Sequence, residues 1–557
     1  MRSPLAAALL VVAFCLPARA EEPPIPSPYG GNRLFAESIA AAESEAIPPR
    51  RLNGITVPHH LLAADLIARA FRLARDNRYD RIVVLTPDHF KRSRRPFATT
   101  RRDFDTVFGR VPSDREAVSA LLGETALVED SALFEREHGI GAILPYIAHF
   151  FPGTPVVPVA VTIGSDRQDW DAMVAALDPL VTPRTLIVQS TDFSHYLSLP
   201  EAILRDQETL TVIAAGDLDA VEKLHQPRHL DSRGSQYIQM RLQADHFGAA
   251  PTVIANSNMQ FYLERPVAET TSYIVQAYFD QGDMQRIGPD GYLDGERLCF
   301  AGDTFFGRYL LPVVSRPDIR DRLTAEIADM LGGCPLVLNL EGVTLAEMPT
   351  GLDDTQLAMP EDLTLDWLKR LGVVAVSIAN NHSRDLGAAP RAAMAERLRA
   401  AGIAVVDGSE AVDLGPMRVI ALTDLDNSGV PHTGLVTPEV LETVTRSDAP
   451  PPLAAFMHWG TEYVAHPSGR ENALAGALRQ AAVSLIVGAH PHVSGERLMA
   501  LAGGESLLAY SLGNFLFDQP GETVSGAVLE VRFFPQGTFF ARLIPIPNLY
   551  ARALALR

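Results

Sequence analysis

The sequence predicts an α/β protein built from two domains. Three observations carry this. Short apolar runs alternate with helically spaced stretches along most of the chain, and one turn-rich break interrupts that alternation. The 557 residues also exceed what one core fills, at roughly 100–200 residues per domain. A composition 47% hydrophobic and 21% charged excludes a mainly disordered chain. Forty-eight basic against 67 acidic residues give a net charge of -19, which repels phosphate backbones and argues against nucleic acid as a partner.

The chain opens with Arg2 and an apolar stretch, 5–16, that is too short to span a bilayer. Pro17-Ala18-Arg19-Ala20 then places small residues before a cut after Ala20. Residues 1–20 therefore read as a signal peptide that removes Cys15, and the protein is expected to be exported, periplasmic or secreted. No later run is long and apolar enough to cross a membrane, so no transmembrane span is expected in the mature chain. Residues 21–50, rich in Pro, Glu and Ser, read as an exposed linker.

The first domain is expected over 51–280. Residues 61–75 carry apolar positions at helical spacing, and 81–86, 155–161 and 185–189 are apolar runs of the buried-strand kind, with a helical stretch at 169–177. Gly282-Asp283, Gly288-Pro289-Asp290-Gly291 and Asp294-Gly295 then form turns, which sets a linker at 281–297. The second domain, 298–557, resumes the alternation. Its strands are expected at 298–301, 336–340, 373–379, 419–422, 453–457, 483–487 and 507–512, and its helices include 390–401 and 471–482. The remaining cysteines, Cys299 and Cys334, are expected as small apolar thiols in or beside buried strands.

Open α/β sheets bind ligands beyond the carboxyl ends of their strands. In the second domain these ends carry Asp303, Glu341, Asn381 with His382, His458, and His490 with His492. Singly, each also reads as a turn former or a structural hydrogen-bonder. Together they offer carboxylate, amide and imidazole donors without thiolate, a set that suits Mn, Fe or Zn. Two such cations close together activate water and hold a phosphoryl or acyl oxygen during hydrolysis. The first domain has its own polar clusters in Pro58-His59-His60, Pro87-Asp88-His89, Glu137-His138 and Thr191-Asp192-Phe193-Ser194-His195-Tyr196. Two histidines and a carboxylate around an open position make the facial triad of non-haem iron, while capped helix starts and hydrogen-bonded histidines are the alternative.

Gly302-Asp303, Asn339-Leu340-Glu341-Gly342, Ala379-Asn380-Asn381-His382, His458-Trp459-Gly460-Thr461-Glu462-Tyr463, His490-Pro491-His492 and Tyr510-Ser511-Leu512-Gly513-Asn514-Phe515 resemble, in order, the CapA or poly-γ-glutamate capsule-synthesis family. The resemblance covers about 298–518 and implies a calcineurin-like metallophosphatase-type α/β sandwich. It further implies Asp303 as a terminal metal ligand, Glu341 as the bridging carboxylate, Asn381, His458, His490 and His492 as further ligands, and His382 as catalytic acid or electrostatic helper. The broader phosphoesterase pattern has Asp-x-His at the first strand. Here Asp303-Thr304-Phe305 lacks that histidine, and Glu341 stands for the usual bridging Asp.

Val57-Pro58-His59, Leu85-Thr86-Pro87-Asp88-His89, Glu137-His138-Gly139-Ile140 with Leu144-Pro145-Tyr146, Ser190 to His195, and Ser232-Arg233-Gly234 resemble the Memo-like family, whose bacterial members are labelled AmmeMemoRadiSam system protein B. The resemblance covers about 54–278 and implies a fold like that of class III extradiol dioxygenases. It marks His59 and His89 as metal ligands and His195 as a further, catalytic-site histidine. The family often has Cys two residues before Arg-Gly; Asp231 stands here, giving His59, His89 and Asp231 as a dioxygenase-like triad, with iron or no metal bound.

The expected function is thus an exported metal-dependent hydrolase of a phosphoester or amide-type bond, acting on an envelope polymer such as poly-γ-glutamate or its precursor. The alternative is a non-enzymatic polymer-binding or assembly protein with a structural metal site. Nothing in the sequence speaks to oligomeric state.

Overall fold

The computed structural model describes residues 22–47, 49–280, 293–427, 429, 434–445, 452–519, 521 and 526–557. The expected signal peptide lies outside the described residues, as does most of the 281–297 linker. Among the described residues no helix is long and apolar enough to cross a membrane.

In the first domain, the strands Leu52–Val57, Thr185–Ser190, Arg81–Pro87 and Val156–Val161 lie side by side and parallel. Every residue of Val156–Val161 and of Thr185–Ser190 is buried, as expected of strands covered by helices on both faces. Thr270–Phe279 adds antiparallel to Leu52–Val57, and Phe193–Leu197 pairs with it in turn.

The stretch expected as an exposed linker is largely part of this domain. Arg33–Ser44 is a helix whose Phe35, Ile39 and Ala42 are buried. Spaced at four and three residues, these positions form one apolar stripe, and the Phe35 ring lies 5.0 Å from Tyr29 and 5.5 Å from Tyr146. The Pro, Glu and Ser content hides this stripe, because those residues occupy the ends and the wet face of the segment.

The second domain is a four-layer α/β sandwich, the architecture the capsule-family resemblance implies. One sheet runs Ala404–Val406, Val373–Ser377, Leu336–Leu340, Glu296–Thr304, Gly526–Phe533, Phe539–Ile546. The other runs Gly408–Asp413, Arg418–Thr423, Leu453–His458, Leu485–Ala489, Ser506–Ala509, Met499–Leu501. Side chains alternate as a strand requires. Leu298 and Phe300 point into the core between the sheets with Ala454 and Phe456, whereas Cys299 and Ala301 face the helices outside. The Phe300 and Phe456 rings meet edge-to-face at 5.9 Å, and truncating Phe456 to Ala should cost about 3–5 kcal/mol.

The cysteines are not free thiols. Cys299 and Cys334 form a disulfide with Cα atoms 6.0 Å apart. Cys334 directly precedes the entry into Leu336–Leu340, and the Cys299 N–H donates to Pro335, so adjacent parallel strands hold the two sulfurs in register. Three cysteines are too few for a scaffold but enough for one bridge.

The domains share a buried interface. Helix Leu199–Ala215 packs on strand Phe539–Ile546, where the Gln207 side chain donates to the Phe539 carbonyl and accepts from its N–H. Phe534 and Phe540 of the second domain join the apolar cluster that holds Leu210 and Ile213 of the first.

Candidate metal centres

In the second domain, the carboxyl ends of the central strands converge. Asp303 is fully buried near the end of its strand and accepts hydrogen bonds from Asn339 Nδ2 (2.8 Å) and the His490 N–H (3.0 Å). Gly302 makes this approach possible, since a Cβ there would lie 1.8 Å from the Gly513 carbonyl oxygen. Asn381 Oδ1 is 2.8 Å from His458 Nε2, and His458 Nε2 is 3.9 Å from Glu341. His492 Nδ1 lies 3.2 Å from Asp303 Oδ2 and 2.8 Å from Asn514 Oδ1. His490 and His492 both sit at positive φ, 93° and 59°. Such backbone costs about 1–3 kcal/mol per residue and turns both rings inward.

These side chains form two sets able to hold a metal, Glu341 with His458 and His490, and Asp303 with Glu341 and His492. In each set the donor atoms lie within 4.8 Å of one another. Glu341 belongs to both. Its Oε2 and the Nδ1 of His490 are buried without a hydrogen-bond partner, which is what metal donors look like before their ion. The donor chemistry therefore fits divalent cations.

Electrostatics agree with shared charge. Burial, reinforced by Asp303, pushes the Glu341 carboxyl up to about 8. Burial also pushes Asp303 up, but His492, His458 and Asn339 outweigh it and hold that carboxyl at about 2. His492 is raised to about 9, its carboxylate neighbours overcoming burial, while burial lowers His490 to about 4 and drives His458 well below the ordinary range. His382 Nδ1 is 2.8 Å from Asp385 Oδ2, and its Nε2 is 4.0 Å from Glu341. Burial lowers the His382 imidazole, but the Asp385 bond and the Glu341 charge more than compensate, so its affinity for a proton is raised.

Phe305 stands where the phosphoesterase pattern has histidine. It is fully buried, 5.7 Å from the Phe517 ring and under the Arg308 guanidinium, and supplies no ligand. Sequence reasoning missed the orienting residues Asn339, Asn514 and Asp385. The two asparagines lie inside the quoted motifs, where their amide chemistry was the available signal.

In the first domain, His59 Nε2 lies 3.2 Å and His89 Nε2 3.6 Å from the same oxygen, Oδ2 of Asp231. His138 completes the cluster, its ring 4.0 Å from His89 and 5.3 Å from His59. His59, His89 and His138 form a third set able to hold a metal. A Cβ at Gly139 would meet Thr86 Oγ1 at 2.3 Å, so glycine is what lets the short helix His138–Gly141 pack this closely on the strand Arg81–Pro87. Glu137 holds His89 Nδ1 at 2.6 Å, and Ser190 Oγ is 3.2 Å from His59 Nδ1. Burial lowers His89, yet Asp231 and Glu137 together raise it to about 10, whereas burial takes His59 down to about 3. Asp231 Oδ1 is buried without a partner, so this donor set too fits a cation. His195 differs. Its ring lies 5.6 Å from that of Tyr196 at a tilt of 50°, and no described contact joins it to His59 or His89. His138 was visible in Glu137-His138 but carried no strand-end signal.

Known proteins agree with this division. Residues 33–260 match the model for "Memo-like protein", and residues 297–413 and 421–519 match "Bacterial capsule synthesis protein PGA_cap". Capsule biosynthesis protein CapA of Bacillus anthracis is 27% identical over 47% of this chain and 70% of its own length. PGA biosynthesis protein CapA of Bacillus subtilis is 25% identical over 44% of this chain and 70% of its own. A MEMO1 family protein of Caldivirga maquilingensis is 26% identical over 32% of this chain and 60% of its own. The two CapA relatives each match a little under half of this chain, and the MEMO1 family protein about a third. The chain is a fusion of a Memo-like domain with a capsule-synthesis domain of the PGA_cap family.

Proposed function

We propose that this is an exported, metal-dependent hydrolase that cleaves a phosphoester or amide-type bond in an envelope polymer, such as poly-γ-glutamate, or in its precursor. The observation that carries the reading is Glu341, shared by two donor sets and flanked by a histidine with raised proton affinity. Mn, Fe or Zn held by Asp303, Glu341, Asn381, His458, His490 and His492 would supply Lewis acidity and a nucleophile from water. The chain's own contribution is orientation and proton delivery. Asn339 fixes Asp303, and Asn514 fixes His492. Asp385 holds His382 by Nδ1, leaving Nε2 free to protonate a leaving group on the Glu341 side.

The Cys299–Cys334 bridge supports export, because such bonds persist in oxidising compartments. The Memo-like domain would bind a separate metal, iron being the ion its two histidines and carboxylate suit, with His195 reserved for substrate. The second reading, a non-enzymatic polymer-binding or assembly protein, is favoured by one observation, the replacement of a ligating histidine by Phe305. Metal analysis combined with a panel of phosphoesters and γ-glutamyl amides separates the two. Turnover supports the hydrolase; metal without turnover supports the binding protein.

A further inference from the structure

Beside the second-domain cluster lies an open cleft of about 390 Å³. Asn381, His382, Gln356 and Asn427 line it, and Arg384 is part of the same lining. Arg384 differs from the arginines around it. Arg308 is held by Asp518 through two bonds of 3.0 and 2.7 Å, and Arg391 by Asp407 at 2.6 Å. Arg384 has no side-chain hydrogen bond or ion pair among the described residues, and its Nε is buried. The nearest carboxylate in sequence, Asp385, is already committed. Its Oδ2 accepts from the Leu357 N–H and pairs with His382, at 2.8 Å each. In a protein of net charge -19, a part-buried guanidinium left without an anion beside a donor cluster is an unpaid desolvation that an incoming oxyanion would offset.

Resting on the hydrolase reading, we infer that Arg384 binds an oxyanion of the substrate flanking the bond to be cleaved. The guanidinium fork matches either a carboxylate or a phosphoryl group through paired N–H donors, and the amides of Asn381, Gln356 and Asn427 supply neutral donors around it. This selects substrates that carry a fixed negative charge beside the scissile bond and rejects neutral esters and amides of the same size.

The test is calorimetric titration of the manganese-loaded full chain with inorganic phosphate and, separately, with γ-glutamylglutamate. Wild type, Arg384→Gln and Arg384→Lys are compared, with metal content and thermal midpoint measured on each. Arg384→Gln should weaken binding of one of the two probes at least tenfold with metal content unchanged, and Arg384→Lys should recover part of that loss. Which probe responds identifies a phosphoryl or a carboxylate ligand. Wild-type affinity for both probes in a folded Arg384→Gln, or no binding of either by wild type, overturns the inference. Arg384-dependent binding without turnover of any ester or amide leaves the inference standing and sinks the hydrolase reading. Turnover with an unchanged KM in Arg384→Gln does the reverse.

Discussion

Asp206 of the first domain accepts a hydrogen bond from the Gln536 side chain of the second, 3.1 Å away. The same buried carboxyl also accepts from Ser194 (2.6 Å), Ser272 (2.5 Å) and Asn256 (3.2 Å). Ser194 neighbours His195, and Thr538 of the second domain donates to Asn256, so one network ties both domains to the strand Phe193–Leu197. Burial raises the Asp206 carboxyl, as expected of an acid surrounded by protein.

Asp206→Ala should therefore destabilise by about 1–3 kcal/mol, the usual cost of stranding buried donors. Calorimetry of the wild type should show the domains melting together, because Phe534 and Phe540 complete the first domain's apolar cluster. Two well-separated transitions, with Asp206→Ala shifting neither, would show the interface to be energetically idle.

The metal-free protein should lose stability as pH rises from 6.5 to 8. Glu341 is raised to about 8 and His492 to about 9 in the folded chain, so each favours folding below its unfolded value and loses that contribution as it gives up its proton through the folded one. Each titrating group contributes at most about 1.4 kcal/mol per pH unit. Metal works in the opposite sense, since it must displace these protons, so its affinity should rise over the same interval. Thermal melts of chelator-treated protein, and manganese titrations at both pH values, check the two slopes. Parallel slopes would contradict the assignment.

Removing both Cys299 and Cys334 should cost about 2–4 kcal/mol while leaving metal content intact, since the bridge lies on the helix-facing side of its sheet. Thiol titration of the unfolded, unreduced protein purified from an exported fraction should find neither sulfur free. Two reactive thiols would remove the structural support for export.

In the first domain, Asp231→Ala should abolish iron binding at His59 and His89, because Asp231 Oδ2 is the atom both rings face. Manganese at the second-domain cluster should be unchanged. Iron retained in Asp231→Ala but lost in His138→Ala would make the site an all-histidine one.

What is legible in the sequence follows from how each residue meets its partners. Asp303, Glu341, His458 and His490 come at or just past the ends of apolar strands, so order along the chain already places them on one edge. Asn339 and Asn514 are harder to read, because an amide beside a ligand looks like any polar residue until its hydrogen bonds are seen. His138 opens the short helix His138–Gly141, so no apolar strand end announces that its ring lies beside His89. The Arg33–Ser44 helix carries its apolar stripe inside a linker-like composition. The disulfide and the Asp206 network depend on distances between strands and between domains, and neither leaves a local pattern.

Glu341 would join the two proposed donor sets around metal, while His382 would deliver the proton. Metal content by plasma mass spectrometry, measured on wild type, Glu341→Ala and His382→Ala prepared side by side, separates these two roles. His382→Ala should keep the wild-type manganese content and lose turnover by about 10²–10⁴-fold, the typical worth of a general acid. Glu341→Ala should lose manganese and turnover together. A Glu341→Ala protein that retains the wild-type manganese content would contradict the shared-carboxylate centre.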